Sequence, residues 1–339
     1  VTSRSRLTAI LALLFLATAA VALGALFVGS ARLSPRAVIA ALTGPGGPWD
    51  AADVIVLSLR LPRILAAVLA GGALAVAGAG FQALTRNPLA EPSVLGVSSG
   101  AAFGVVAAQV LGLRAGVLEA FGLTAFAFAG ALLAGIAVFA ISARAGGLPV
   151  HTLVLAGVIV GIFFSSAITV LISIVDLDRL AGVIYWLLGN LAPIPPPALA
   201  VFAATTGVGF WLVLGQARRL NLLALGEEAA LQLGVDAERV KRRIFAGAAL
   251  LTAAAVAFAG PIGFVGLIVP HALRMTLGPD NRVLVPAALL AGGAFLLAAD
   301  TLARSLVAPA ELSVGVITSL CGAPFFVYLL RSRSVPLAR

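Results

Sequence analysis

Chemistry in a protein needs a nucleophile, a titratable pair or a cluster of ligands, and this sequence offers little of any. Its 339 residues hold 13 acidic side chains, two histidines, one cysteine and a single lysine. His151, His271 and Cys321 cannot form a recognisable metal cage, so no metal ligand is assigned. His271 follows Pro270 near a helix end and reads as structural. Lys241 is not set in Gly-x-x-x-x-Gly-Lys, so the chain has no phosphate-binding loop of its own. No nucleophile–base pair stands out, which argues against an intramembrane enzyme. Asp176 and Asp178 flank an apolar run and read as solvated, whereas Asp300 and Arg304 are one helical turn apart and read as a pair. Cys321 lies in a late apolar run, excludes an internal disulfide and reads as a small buried hydrophobe.

Two loops carry more information than any titratable group. Arg86-Asn-Pro-Leu-Ala-Glu-Pro92 combines two prolines with an asparagine, which makes a stiff, non-helical turn. It is a candidate constriction at the mouth of a pore. The second loop, residues 218–243, is richer. Glu228–Leu233 reads as a short helix, Gly234 is placed to end it in the left-handed region, and Asp236 can cap the helix that follows. A helix, a glycine and a second helix in the largest hydrophilic loop form a unit suited to being gripped by a partner. A solvated amphipathic loop is the plainer alternative.

The elements that must position these loops are membrane helices. Hydrophobic residues make up 61% of the chain and charged residues 10%, with a mean hydropathy of +1.14. A soluble domain carries roughly 25% charged residues, so this chain belongs in lipid. Its net charge of +9 does not point to nucleic acid, because the charges lie between or beside apolar runs. The first run, Leu7–Ala31, has an uncharged stretch too long for a signal peptide and reads as a retained span. Further uncharged runs cover 64–85, 92–113, 120–143, 145–175, 180–217, 244–273, 283–299 and 312–330. A span needs about 20 apolar residues. Pro193, Pro195, Pro196 and Pro197 divide the 180–217 run, leaving a short surface segment before them and a span, 198–216, after. Tyr185 and Trp186 in that segment read as interfacial anchors. Gly and Ala crowd many spans, as in 70–80, and fit close helix packing rather than a ligand.

Orientation follows from basic residues in short loops. The cluster Arg218, Arg219, Arg239, Lys241, Arg242 and Arg243 marks a cytoplasmic loop. Six spans precede it, so the amino terminus is cytoplasmic. The tail with Arg331, Arg333 and Arg339 is placed there too, which requires two spans between 237 and 275, divided at Gly260-Pro261. The second of these, Ile262 to about Met275, is too short to cross fully and must be partial or broken. The total is ten. Of 22 basic residues, seven then face outward (Arg32, Arg36, Arg60, Arg63, Arg114, Arg179 and Arg304) and fifteen inward. The expected fold is an all-α polytopic membrane protein, a single domain over 1–339 with ten transmembrane helices.

Glu228-Ala-Ala230, followed three residues later by Gly234, resembles the coupling loop of ABC-importer permeases. The likeness extends through Arg60-Leu-Pro-Arg63, Gln82, Arg86–Pro92, Leu95-Gly-Val-Ser-Ser-Gly100, Gly260–His271, Ala299–Arg304 and Pro309–Gly315. Together these resemble the iron-siderophore, haem and cobalamin permeases, the type II ABC importers. The resemblance implies a homodimer around one pathway in the bacterial inner membrane, with two cytoplasmic ABC ATPases and a periplasmic substrate-binding protein. ATP and magnesium would be held by the ATPases, with no cofactor in this chain. It implies that Leu225, Gly226, Glu227, Glu228, Ala229, Ala230 and Gly234 couple to the ATPase. It also implies that Asn87, Leu89, Val150 and His151 belong to a cytoplasmic gate, although the family's small hydroxylic gate position is replaced here by Val150 and His151. Arg60, Arg63 and Arg304 are implied to meet acidic residues of the binding protein, as exposed pairs contributing about 0.2–1 kcal/mol each.

The implied activity is import by alternating access, with a ferric siderophore as the leading cargo on family frequency, haem and cobalamin close behind, and no chemistry performed on it. The rival class is an ion-coupled secondary transporter, which usually places acidic groups inside its spans. Here nearly every Asp and Glu falls in a loop or at a helix end. The topology is open to test. Residues 218–243, 276–282 and 331–339 should share the cytoplasmic side, so a cysteine at Gly278 in a variant lacking Cys321 should resist labelling from outside. Labelling there would break the ten-helix count.

Overall fold

The computed structural model describes residues 4–44, 49–113, 121–143, 147–175, 177–307 and 310–332. Ten apolar helices appear where the hydrophobic runs predict them: Arg4–Phe27, Leu61–Thr85, Val97–Leu111, Leu123–Ser142, Val150–Ile174, Pro196–Leu214, Ala237–Ala259, Val265–Leu277, Asn281–Ser305 and Val314–Ser332. Seven are long enough to cross a bilayer outright, and the third, eighth and tenth have shorter apolar cores. The eighth is the partial helix expected after Gly260-Pro261. Its 13 residues rise about 20 Å at 1.5 Å per residue.

The second span is the axis of the molecule, packed against the sixth, seventh, eighth and ninth. Of its apolar window 83% is buried, against 17% for the first span and 22% for the fifth. Small residues make this possible. Ala70 through Gly80 are all buried, and a Cβ at Gly71 would overlap the backbone of Gly292 just as one at Gly292 would overlap Gly71. A Cβ at Gly78 would likewise strike the carbonyl of Gly266 in the eighth span. Glycine costs about 1 kcal/mol relative to alanine inside a helix, which backbone-to-backbone packing offsets where lipid supplies no hydrophobic drive.

Several boundaries differ from those predicted. The second span is the end of one continuous helix, Ala51–Thr85, 35 residues long. Its entry contains a π-helical stretch, Val54–Arg60, and an Asp50/Asp53 capping box starts it. The arginines that end the uncharged run do not end the helix, because their charges are satisfied inside the protein. The third span begins later than expected. Pro92–Leu95 forms a 3₁₀ turn, and Gly96 in the left-handed region sits against Gly157 and Gly161 of the fifth span. Leu177–Leu187 is the short non-spanning helix expected before the prolines, and Val183 joins Ala102, Val106 and Ile168 in a small apolar cluster. Tyr185 is exposed, while Trp186 packs into the core rather than standing free. Cys321 is exposed, not buried: the tenth span turns that face, with Leu320 and Val327, away from the bundle. His271 lies within the eighth helix, buried, its ring 6.0 Å from that of Phe326. Arg114, Arg144, Asp176, Pro309, Arg333 and Arg339 lie outside the described residues.

Pro270 explains why Gln82 sits in the middle of this apolar core. Proline has no N–H, so the carbonyl four residues earlier, that of Gly266, loses its helical donor. Gln82, 2% exposed, supplies the replacement: its Nε2 donates to Gly266 O at 3.2 Å and to Leu267 O at 3.3 Å. Its Oε1 accepts from Arg274 Nη1 at 2.9 Å. Replacing Gln82 with Leu should cost about 1–3 kcal/mol, the penalty for stranding buried polar groups. Adding Pro270→Ala should recover part of that loss in thermal unfolding of the purified protein, because the new N–H can serve Gly266.

Candidate coupling, gate and arginine sites

At the end of the bundle that carries the basic cluster, residues 217–236 fold as two short helices, Ala217–Leu223 and Glu227–Gln232. Gly234 ends the second with φ +77. Its N–H donates to Leu231 O at 2.9 Å, and that of Val235 donates to Ala230 O at 2.9 Å. This is the paired bonding of a Schellman end, and buried Val235 and Ala230 supply its apolar contact. Asp236 then accepts from Arg239 N at 3.0 Å and caps the seventh span. The helix–glycine–helix reading thus corresponds to the geometry, with the helix starting one residue early.

This unit is held from below and bare above. Asn221 donates to Asp280 Oδ1 at 2.7 Å and accepts from Asn281 N at 2.9 Å, which ties the first short helix to the start of the ninth span. Leu225, Leu231 and Leu233 are 68%, 69% and 59% exposed. Glu227 and Glu228 are exposed beside them, Gly226 takes φ +121, and Ala229 is half-buried. Three exposed leucines outside the apolar spans form the kind of patch that marks a protein interface.

The Arg86–Pro92 turn lies at the same end. Arg86 closes the second span in the left-handed region, φ 51, and Asn87 shapes the turn by accepting from Leu89 N at 2.9 Å. Asn87 and Leu89 are exposed. Glu91 anchors the far side of the turn by accepting from the N–H of Phe264, itself left-handed at φ 69, at 2.8 Å. The fifth span starts at Val150, half-buried, and His151, exposed. The structure therefore places all four candidate gate residues on two segments that leave the bundle at one end. Spacing did not reveal what joins those segments to the coupling loop. Arg86 lies 3.8 Å from Glu227, Glu227 lies 2.8 Å from Lys241, and Lys241 lies 2.8 Å from Glu238. Glu238 in turn accepts from Leu148 N. Only the Glu238–Lys241 spacing of three residues was a usable signal.

The three arginines sit together at the opposite end, but not as exposed posts. Arg60, Arg63 and Arg304 are 4%, 9% and 3% exposed. Arg60 donates to the carbonyls of Leu26 and Ala31, both at 2.5 Å. Arg63 reaches Asp300 at 2.9 Å and Glu311 at 2.7 Å, and Arg304 reaches the other oxygen of Asp300 at 3.0 Å. The expectation of freely exposed arginines is corrected, because Asp300 and Glu311 draw two of them inward. The Asp300–Arg304 pair is present as read. Asp300 itself, fully buried within the ninth span, departs from the reading that acids keep to helix ends. It is held between two guanidiniums, those of Arg63 and Arg304. The three arginines and Glu311 line a cavity of about 160 Å³ together with Gly29, Ser30 and Pro193, and Asp300 lies behind them.

This geometry changes what a substitution there should do. Breaking a buried pair costs about 3–5 kcal/mol, since it leaves an uncompensated charge. Arg63→Glu, which adds a third acid beside Asp300 and Glu311, should therefore destabilise the fold by that order in thermal unfolding. Arg63→Lys should lose much less. An Arg63→Glu protein as stable as wild type would show that the cluster is solvated.

Comparison with known proteins gives one answer. The model of the FecCD transport family matches residues 12–332. The cobalamin import system permease protein BtuC of Halobacterium salinarum is 47% identical over 289 residues, covering 85% of this chain and 76% of that protein. The hemin transport system permease protein HmuU of Yersinia pestis is 42% identical, covering 91% of each. A solved structure described as an inward-facing conformation of a metal-chelate type ABC transporter superposes with a TM-score of 0.82 at 31% identity, covering 96% of this chain and 99% of that one. The chain is thus a multi-span membrane permease with the type II importer fold, a transport subunit whose ATP hydrolysis falls to a separate polypeptide, and it belongs to the FecCD transport family.

Proposed function

We propose that two copies of this chain form the pathway of an ATP-driven importer for a bulky metal chelate, with cobalamin as the cargo. The observation that carries the reading is the exposed unit of Leu225, Glu228, Leu231 and Leu233 on a helix stopped by Gly234. Such a surface fits an ATPase subunit, which would hold ATP and magnesium. The basic cluster beside it makes this the cytoplasmic face, with both termini inside. Asn87, Leu89, Val150 and His151 then form the cytoplasmic gate. The little-buried fifth span and the outward face of the tenth supply the surface for a second copy. The arginine cluster lies at the outer face, where its surplus positive charge favours an acidic side chain of a binding protein. The fixed pairing of Asp300 weighs against ion coupling. The similarity to permeases named for cobalamin import supports cobalamin ahead of haem and ferric siderophores.

The test is uptake of labelled cyanocobalamin, haemin and a ferric siderophore by vesicles holding this chain, its ATPase and its binding protein. Cyanocobalamin should be taken up, and only with ATP and the binding protein. Glu228→Arg with Gly234→Pro should abolish both uptake and co-purification of the ATPase while the permease still folds. Normal co-purification with that double variant would sink the coupling reading. Transport without the binding protein would instead support a secondary carrier.

A further inference from the structure

The single lysine of this chain joins the docking helix to the segment that opens the fifth span. Lys241 stands in the first turns of the seventh span, and its side chain is 6% exposed. It donates to Glu227 Oε2 at 2.8 Å and to Glu238 Oε1 at 2.8 Å. Glu227 is the first residue of the docking helix. Its other oxygen, Oε1, lies 3.8 Å from Arg86 Nη2, the residue before Asn87. Glu238 uses its other oxygen, Oε2, to accept from the backbone of Leu148, two residues before Val150.

A second, independent feature shows that the Leu148 arm is built in. The Glu238 carboxylate lies directly on Gly147, where an added Cβ would meet its carbon at 2.5 Å and both oxygens at 2.7 Å. Gly147 also takes φ +125, which side chains rarely adopt. A residue of any other type there would push the carboxylate away. The docking helix thus reaches the Asn87 turn directly, through the Glu227–Arg86 pair, and the start of the fifth span through Lys241, whose ammonium Glu227 and Glu238 share.

We infer that Lys241 is a positioning residue that ties the docking helix to the start of the fifth span, so that a displacement of that helix, which reaches Arg86 through Glu227, moves both gate segments together. The inference rests on the proposed coupling role of residues 218–243. A buried ammonium cannot release one carboxylate without remaining under-compensated. When the ATPase shifts Glu227, Lys241 must therefore follow it or be stranded, and following it draws on Glu238 and the Leu148 segment. Glu227 and Glu238 are themselves 47% and 34% exposed, so water can relieve them as they move. Lysine suits this role because its ammonium is a compact charge on a flexible stem that can serve two acceptors in changing directions.

The experiment is hydrogen–deuterium exchange on the complete transporter in nanodiscs, with and without ATP and vanadate. In the wild type, ATPase binding should protect 225–234, and nucleotide should alter exchange in 86–91 and 147–151 by at least about fivefold. Lys241→Met should lose the nucleotide response at 147–151 while 86–91, tied through Arg86 to Glu227, keeps its own, and Lys241→Arg should keep both. Glu238→Gln and Gly147→Ala should lose the response at 147–151 alone. If 225–234 is not protected by the ATPase, the coupling reading fails, whatever Lys241 does. If protection is present but Lys241→Met responds like the wild type, or if Lys241→Arg loses as much as Lys241→Met, the inference is overturned. A wild type with no gate response overturns it too. Should Lys241→Met fail to assemble, Glu238→Gln decides: a full response at 147–151 would reject the shared ammonium.

Discussion

The close approach of the second span's backbone to its neighbours is the constraint on which the rest depends. Gly71 against Gly292, and Gly78 against Gly266, leave no room for a single methyl group. That distance brings the ninth and eighth spans against the axis, and with them Asp300 and Pro270. It also sets what polar chemistry the interior can hold. Gln82 reaches the Gly266 carbonyl because the helices touch there, and Arg63 reaches Asp300 for the same reason. In water such packing would be one stabilising term among several. In lipid, where apolar side chains gain little from leaving the solvent, van der Waals contact and buried hydrogen bonds carry the association.

Burial then sorts the charges into two kinds of site. At the entry to the axis, Arg60, Arg63 and Arg304 are held by carbonyls and by fully buried Asp300. At the other end the second span opens through left-handed Arg86, and its neighbours are half-exposed carboxylates. The same helix is therefore rigid at its entry and adaptable at its exit. The Asn87 turn is pinned on its far side by Glu91 to Phe264, and its near side is tied to the loop beyond through the half-exposed Arg86–Glu227 pair.

Hydrophobic runs made the ten helices legible, because a charge-free stretch in this sequence can only be lipid-facing or buried. They misplaced boundaries wherever a charge is buried. The run stops at Arg63, but the helix continues back to Ala51, since Asp300 and Glu311 satisfy charges that composition assigns to water. The same error made the arginines look exposed. The Gly234 stop and the Asp236 cap were readable because capping is local chemistry over a few residues. Cys321 was misread because an apolar run does not say which of its faces looks outward. Gln82 was visible as a polar residue in an apolar span, but its purpose depends on Pro270, 188 positions away, which no local pattern encodes. The ties from Arg86 and Leu148 to the loop are long-range in the same sense, and only the tertiary structure brings them together.

The contrast between the two ends bears on how such a protein can move at all. A pair with both partners buried, such as Arg63 and Asp300, breaks at a cost of several kcal/mol, comparable with the whole stability of a domain. Such a pair holds one arrangement through a transport cycle unless a new partner charge takes its place. A half-exposed carboxylate exchanges an ion pair for water at about 1 kcal/mol or less. Movement should therefore concentrate where one buried cation is met by half-exposed acids, around Lys241. The outer arginine cluster should move only when an incoming acid replaces Asp300 or Glu311, which makes that end responsive to a docked partner and indifferent to thermal fluctuation. An importer needs that asymmetry. On the proposed reading, the arginine end waits for a delivered cargo, while the end around Lys241 yields to the free energy of ATP applied through one short helix.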